Sequence, residues 1–159
     1  QRWLHNQLEM PQLSFHAPIG ELTVSEEDGV LVSLDWGWGQ DQTQTKLLEQ
    51  ARDQLNSYFD GNRQSFELPL NPAGTPFQNR VWAAMLDIPS GQVQTYGQIA
   101  KKIGSAARAV GMACGANPIP IIIPCHRIVA ATGLGGYSGD GGLVTKQALL
   151  DLEGWQGQS

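Results

Sequence analysis

Apolar and β-branched residues come in short alternating runs near the start of the chain, at Leu13 to Phe15, Leu22 to Ser25 and Val30 to Asp35. Turn formers separate them, Pro18-Ile19-Gly20 and Glu27-Asp28-Gly29, so the pattern predicts short antiparallel strands joined by tight turns. From Thr43 to Asp60 the period lengthens, with Leu47, Leu48, Ala51, Leu55, Tyr58 and Phe59 at helical spacing and Gly61 as a stop signal. This predicts one amphipathic helix. Asn71-Pro72-Ala73-Gly74-Thr75-Pro76 then has turn formers and no apolar period. A domain boundary is expected there, between residues 1–74 and 75–159.

Beyond the boundary, Thr75 can cap a helix with Pro76 at its first position, running through Phe77, Val81, Trp82, Met85 and Leu86 until Pro89 ends it. Thr95 is a cap for Tyr96 to Ile103; Gly104-Ser105 breaks the run, and a second run extends from Ala106 to about Ala116. Two short helices around a glycine turn match a helix-turn-helix, a pair that many helical domains also contain without touching DNA. Arg108 favours the DNA reading, because it falls in the first turn of the second helix, where recognition helices meet DNA. Ile119 to Ile123, bracketed by Pro118, Pro120 and Pro124, is expected to pack as an extended stretch beneath the segment that follows. The sum is an α+β fold: a small N-terminal strand-and-helix domain, then a mainly helical C-terminal domain with a helix-turn-helix.

Composition adds little to this. The 159 residues are 41% hydrophobic and 16% charged, as in an ordinary globular protein. There is no apolar run long enough to span a membrane, and Gln1-Arg2-Trp3-Leu4-His5 lacks a signal-peptide core, so the expected location is the cytoplasm. In that reducing compartment Cys114 and Cys125 are expected to stay thiols. The net charge of −5 opposes phosphate binding on average. The average hides an asymmetry: residues 75–130 hold five basic side chains against Asp87, a net of +4. Residues 1–74 hold four basic and eleven acidic side chains, a net of −7, and residues 131–159 one basic and three acidic, a net of −2. Chance could produce such clustering, but it leaves one stretch able to face nucleic acid.

Chemistry concentrates at Pro124-Cys125-His126-Arg127. A free cysteine is more often a small buried hydrophobe than a nucleophile. Its reactive form is the thiolate, which needs a base or a cation nearby, and His126 and Arg127 offer one of each. Adjacent side chains rarely meet directly, so a water or a turn would have to join His126 to the sulfur, and a carboxylate should orient the imidazole.

Ile119 to Val129 resembles the active-site signature of the O6-alkylguanine-DNA alkyltransferases, also called methylated-DNA-protein-cysteine methyltransferases. The resemblance runs through Thr75-Pro76-Phe77-Gln78, Thr95-Tyr96-Gly97, Arg108-Ala109-Val110-Gly111, Asn117-Pro118, Tyr137-Ser138-Gly139 and Leu152-Glu153-Gly154, in the family's order. It implies a single-turnover transfer of an alkyl group from O6 of guanine in duplex DNA to Cys125, with no cofactor and no metal. His126 would draw the thiol proton through a water, Glu153 would orient the imidazole, and Tyr96 would donate to the departing purine. Tyr96 and Arg108 would rotate the damaged nucleotide out of the duplex, with Thr95, Ala109, Met112 and Arg127 also on the DNA side. The pocket would come from Pro120, Met112, Tyr137 and Ser138, with the Cys125 and Ile128 carbonyls accepting from the guanine amino group. Asn117 would tie the helix-turn-helix to the cysteine segment. The implied protein acts as a monomer away from membranes, with cooperative loading on DNA left open.

Some features fall outside the resemblance. Gly139-Asp140-Gly141-Gly142 looks one residue longer than the family's glycine loop, which puts Ser138 in question. Some relatives hold a structural zinc in the N-terminal domain; this half has no cysteine, and His5 and His16 read as surface or satisfied histidines. Cys114 reads as a packing residue, and Trp36, Trp38 and the Phe77-Val81-Trp82-Met85 stripe as core or interdomain packing. Three other functions are compatible with parts of the pattern: a lesion-binding protein without transfer, a cysteine hydrolase, and a transcription regulator. The acceptor cysteine argues against the first, turnover would mark the second, and at this length the extra domain of the third is not expected.

Overall fold

The computed structural model describes residues 10–155, in two compact units that divide between Pro72 and Ala73. In the first, strands β1 (Gln12–Ala17), β2 (Gly20–Glu27) and β3 (Val30–Trp36) form an antiparallel sheet in sequence order. Leu13 faces Val24 and Phe15 faces Leu22 across β1 and β2, and a register shift interrupts β2 and β3 after Ser25. Helix α1 (Lys46–Phe59) lays Leu48, Ala51, Leu55 and Tyr58 on this sheet. Each such burial stabilises by roughly 1.5–3 kcal/mol for the larger aliphatic side chains. The helix begins later than the apolar period suggests, because Thr45 is the cap and its hydroxyl accepts the Leu48 N–H at 3.1 Å.

Both faces of β2 are buried, which alternation alone did not predict. On the second face Ser14 and Thr23 share a hydrogen bond of 2.7 Å, and the Gly39 N–H reaches both hydroxyls. Trp36 donates its indole N–H to the Ile19 carbonyl, and Trp38 is half exposed, its ring 5.0 Å from that of His16. His16 also lies 3.5 Å from Glu21, a surface arrangement; His5 lies outside the described residues.

The second unit holds α2 (Pro76–Leu86), α3 (Tyr96–Ile103), α4 (Ala107–Gly115) and α5 (Leu143–Leu152). Thr75 and Thr95 each form a capping box with a glutamine three residues on, Gln78 and Gln98. Such a cap is worth about 1 kcal/mol and fixes where α2 and α3 start. Gly104, at φ 72°, ends α3 in the left-handed region, and the short turn to α4 makes the two helices pack on one another. Trp82 of α2 is buried and donates to the Ala113 carbonyl of α4 at 2.9 Å. Gly74 is required beneath it, since a Cβ there would stand 2.5 Å from the ring. A short parallel pair, β4 (Gln94–Thr95) with β5 (Ile128–Val129), sets the start of α3 beside the chain leaving the cysteine segment.

Candidate active site

Cys125 is delivered by a turn rather than the extended stretch expected over Ile119 to Ile123. Three prolines there remove ladder donors, Ile121 takes φ 75°, and Ile123 N–H closes the turn on the Ile119 carbonyl at 2.9 Å. A β-branched residue at positive φ is strained. Asn117, just beyond α4, braces the turn: its amide donates to the Ile123 carbonyl at 2.8 Å and its Oδ1 accepts from Ile119 N–H at 2.9 Å. Cys125 N–H donates to the same Ile123 carbonyl, and one 3-10 turn, Cys125–Arg127, follows.

Behind the sulfur lies a closed set of charges. His126 is fully buried, with Nε2 2.7 Å from Glu153 Oε2. Arg127 donates two bonds of 2.9 Å to the two oxygens of Glu153 and a third, of 2.6 Å, to the Ile88 carbonyl. Burial works against the Glu153 charge, yet hydrogen bonds from His126 and Arg127 hold its carboxyl down at about 2. An ionised carboxylate only accepts, so His126 Nε2 carries the hydrogen and Nδ1 the lone pair. Nδ1 is buried and has no hydrogen-bond partner among the described residues. Burial also pulls the imidazole below its usual range, outweighing the upward effect of Glu153, so the ring is a neutral base at neutral pH.

The sulfur opens on a cavity of about 290 Å³, a size suited to a small ligand such as one base. Tyr96 from α3, Gly111, Cys114 and Gly115 from α4, and Gly136, Tyr137 and Ser138 from the following loop complete its lining. Burial pushes the Cys125 thiol up, opposed by the Asn117 amide and the Lys146 ammonium. The resting sulfur therefore keeps its proton until a base removes it.

Lys146 was missed in the sequence. It is fully buried on α5 and donates to the carbonyls of Ile128, Leu134 and Gly136 at 2.7, 2.6 and 2.9 Å. These bonds fasten the pocket loop to the strand after the cysteine, and burial lowers the ammonium to about 8. The signal was present: Lys146, Leu149, Leu150 and Glu153 share one helical face, and two charges in phase with buried leucines must find partners.

On α4 the cavity side, Gly111, Cys114 and Gly115, adjoins an exposed side bearing Arg108 and Met112, one helical turn apart. Met112 is 72% exposed, unusual for an apolar side chain of this size. A helix with a cavity along one edge and a cation with an uncovered apolar side chain on the next can present a polyanion's bound unit to the cavity.

Comparison with known proteins agrees with this geometry. Residues 76–155 match the family described as 6-O-methylguanine DNA methyltransferase, DNA binding domain, and residues 13–72 match its ribonuclease-like domain. The chain belongs to this family. It is 45% identical over 158 residues to a methylated-DNA–protein-cysteine methyltransferase of Mycobacterium bovis, covering 86% of this chain and 88% of that one. The solved Mycobacterium tuberculosis O6-methylguanine methyltransferase superposes with a TM-score of 0.81 at 43% identity, over 91% of this chain and 92% of its own. A second structure, Mycobacterium tuberculosis OGT in complex with DNA, gives 0.81 at 45%, over 89% and 91%.

In this methyltransferase, the residues expected to form the site are distributed unevenly around the cavity. Cys125, Tyr96, Tyr137 and Ser138 line it, and His126 and Glu153 stand behind the sulfur. Asn117, Pro120, Ile128 and Met112 are not among the lining residues: Asn117 braces the cysteine turn, the Ile128 carbonyl already accepts from Lys146, and Met112 stands on the exposed side of α4. Arg127, expected at DNA, is corrected. It is 6% exposed and its guanidinium is committed to Glu153 and Ile88, because a buried carboxylate needs a bidentate partner. The Thr95 hydroxyl serves first as the α3 cap, while Arg108 is exposed and Ala109 partly so. Cys114, expected to be packing alone, borders the cavity.

Proposed function

We propose that this protein repairs alkylated DNA by moving the alkyl group from O6 of guanine to Cys125, irreversibly and once per molecule. The observation that carries the reading is a thiol at the wall of a base-sized cavity, backed by the His126–Glu153–Arg127 set and bordered by the exposed side of α4. A thiolate cannot reach O6 of a stacked guanine, so the nucleotide must leave the helix, at a cost of roughly a few kcal/mol. Arg108 and Met112 supply groups to occupy the vacated stack, and Tyr96 in the cavity donates to the purine as it departs. Nδ1 of His126 takes the thiol proton through a water. Glu153 and Arg127 are positioning residues, holding the tautomer that leaves this lone pair free. Sulfur then forms a bond to the alkyl carbon as the carbon–O6 bond breaks, and guanine leaves with the electron pair. The thioether is not hydrolysed, so the chain does not turn over.

The two units divide this work: the first as a structural domain, the second as the DNA-binding and acceptor domain. A monomer suffices, since one chain supplies every group named. A thiol that must stay reduced fits the cytoplasm. Among the described residues no helix is long and apolar enough to cross a membrane.

The test is intact-protein mass after mixing with a duplex carrying one O6-methylguanine. A gain of one methyl in place of hydrogen, mapped to Cys125 and absent in Cys125→Ala, is expected. Binding of the duplex with no change of mass would instead make the protein a lesion binder.

A further inference from the structure

The cavity contains a second sulfur that methyl transfer does not use. Cys114 stands in the last turn of α4, and both it and Cys125 line the 290 Å³ space as free thiols. Neither is sealed away from the cavity, though both are shielded from bulk water, at 8% and 5% exposure. The two are close enough for the charge of Cys125 to oppose ionisation of Cys114.

We propose that Cys114 is a second acceptor for bifunctional alkyl groups, closing a thioether bridge to Cys125 when the group attached there carries a leaving group on its far carbon. This rests on the reading of Cys125 as the alkyl acceptor. For a two-carbon electrophile, Cys125 forms a sulfur–carbon bond as the first leaving group, halide or guanine, departs with its electron pair. The sulfur of the resulting haloethyl thioether displaces the remaining halide and becomes a three-membered episulfonium cation. Cys114 attacks one ring carbon. The carbon–sulfur bond to the cation opens, its electron pair returns to Cys125 as a neutral thioether, and the Cys114 proton passes to solvent. No oxidant or reductant is consumed.

The order of events favours the second sulfur only after the first has reacted. Burial and the Cys125 charge hold the Cys114 thiol up at about 12, with Lys146 pulling the other way. Burial persists after alkylation, but an alkylated Cys125 can no longer take a negative charge and the episulfonium sets a positive one in the same cavity, which shifts Cys114 toward its thiolate as its target appears. A nucleophile fixed in the same cavity also competes at a high effective concentration, of order 10⁵ M or more when well oriented. The bridge quenches inside the protein a cation that would otherwise alkylate the bound DNA.

The experiment treats the full chain with 1,2-dibromoethane in the presence of unmodified duplex, and in parallel with the O6-methylguanine duplex. The bridge appears as a net gain of two carbons and two hydrogens, with one peptide linking Cys114 to Cys125, in about tenfold excess over the hydroxyethyl adduct. In Cys114→Ser the bridge is absent and protein–DNA cross-linking rises about tenfold. Wild type that takes methyl on Cys125 but gives only hydroxyethyl or DNA adducts there, with Cys114 free, overturns the bridge and leaves the repair reading intact. Wild type that takes no methyl overturns the repair reading, and the bridge with it. Separate single adducts on the two sulfurs also overturn the bridge.

Discussion

Glu153 shows how one side chain can hold a site together. Its side chain is 1% exposed and its charge is shared between an imidazole and a guanidinium. Glu153→Gln leaves Arg127 buried without its counter-charge, and unfolding by denaturant is expected to show a loss of about 3–5 kcal/mol. The same group sets acid sensitivity. Its carboxyl is lowered from 4.5 to about 2, so its stabilisation is complete above 4.5 and disappears as pH falls toward 2; thermal unfolding across that window should show it. His126 is lowered as well, so the neutral base persists below 6.5. Single-turnover transfer is therefore expected to stay level as pH falls through 6.5, where an ordinary histidine would halve it. Lys146→Met keeps the buried stem but strands three carbonyls. A destabilisation of roughly 3 kcal/mol is expected by denaturant titration, with slower transfer in the surviving folded fraction.

The pocket is an assembly of element ends. The start of α3 gives Tyr96, the last turns of α4 give Gly111, Cys114 and Gly115, and the loop before α5 gives Gly136 to Ser138. What sets their spacing is how closely the loop approaches Tyr96. At Gly135 a Cβ would lie 2.9 Å from the Tyr96 ring and 3.2 Å from the Ala130 nitrogen, with the backbone at φ 76°. Gly135→Ala is expected to lose more than about 1 kcal/mol and, by displacing Tyr96, to slow methyl transfer beyond what the loss of folded protein explains. Parallel denaturant titration and single-turnover kinetics separate the two effects. Apolar periods and caps make α2, α3 and α4 legible from the amino-acid sequence, since Thr75 and Thr95 each announce a helix by a glutamine three residues on and Gly104 marks the turn between the second and third. The turn at Ile119 to Ile123 was not legible. A run of isoleucines reads as extended until Asn117 and the surrounding prolines force positive φ at Ile121.

At the scale of the molecule, charge is the property that misleads most. The protein carries −5, yet only one stretch is basic, and within it Arg127 is buried while Lys101, Lys102 and Arg108 are exposed. Affinity for unmodified duplex should fall with salt as for a few phosphates neutralised and their counterions released, a log–log slope of roughly −2 to −4, despite the acidic total. A fluorescence anisotropy titration over a salt series checks this, and a slope near zero would remove Lys101, Lys102 and Arg108 from the interface.

Local physics was written along the chain: the strand turns, the helix caps, the stop glycines, and a thiol beside a base and a cation in Cys125, His126 and Arg127. Those signals depend on neighbours a few residues away, which the sequence displays directly. The fate of the charges was decided in three dimensions. Arg127 turned inward and Lys146 became a buried clamp because each found oxygen acceptors brought by distant segments, Glu153 and Ile88 for one, Ile128, Leu134 and Gly136 for the other. Cys114 changed from a packing residue to a cavity wall for the same reason. A helix position states which face a side chain occupies, and only the elements packed around it determine whether that face meets solvent, core or a reacting sulfur.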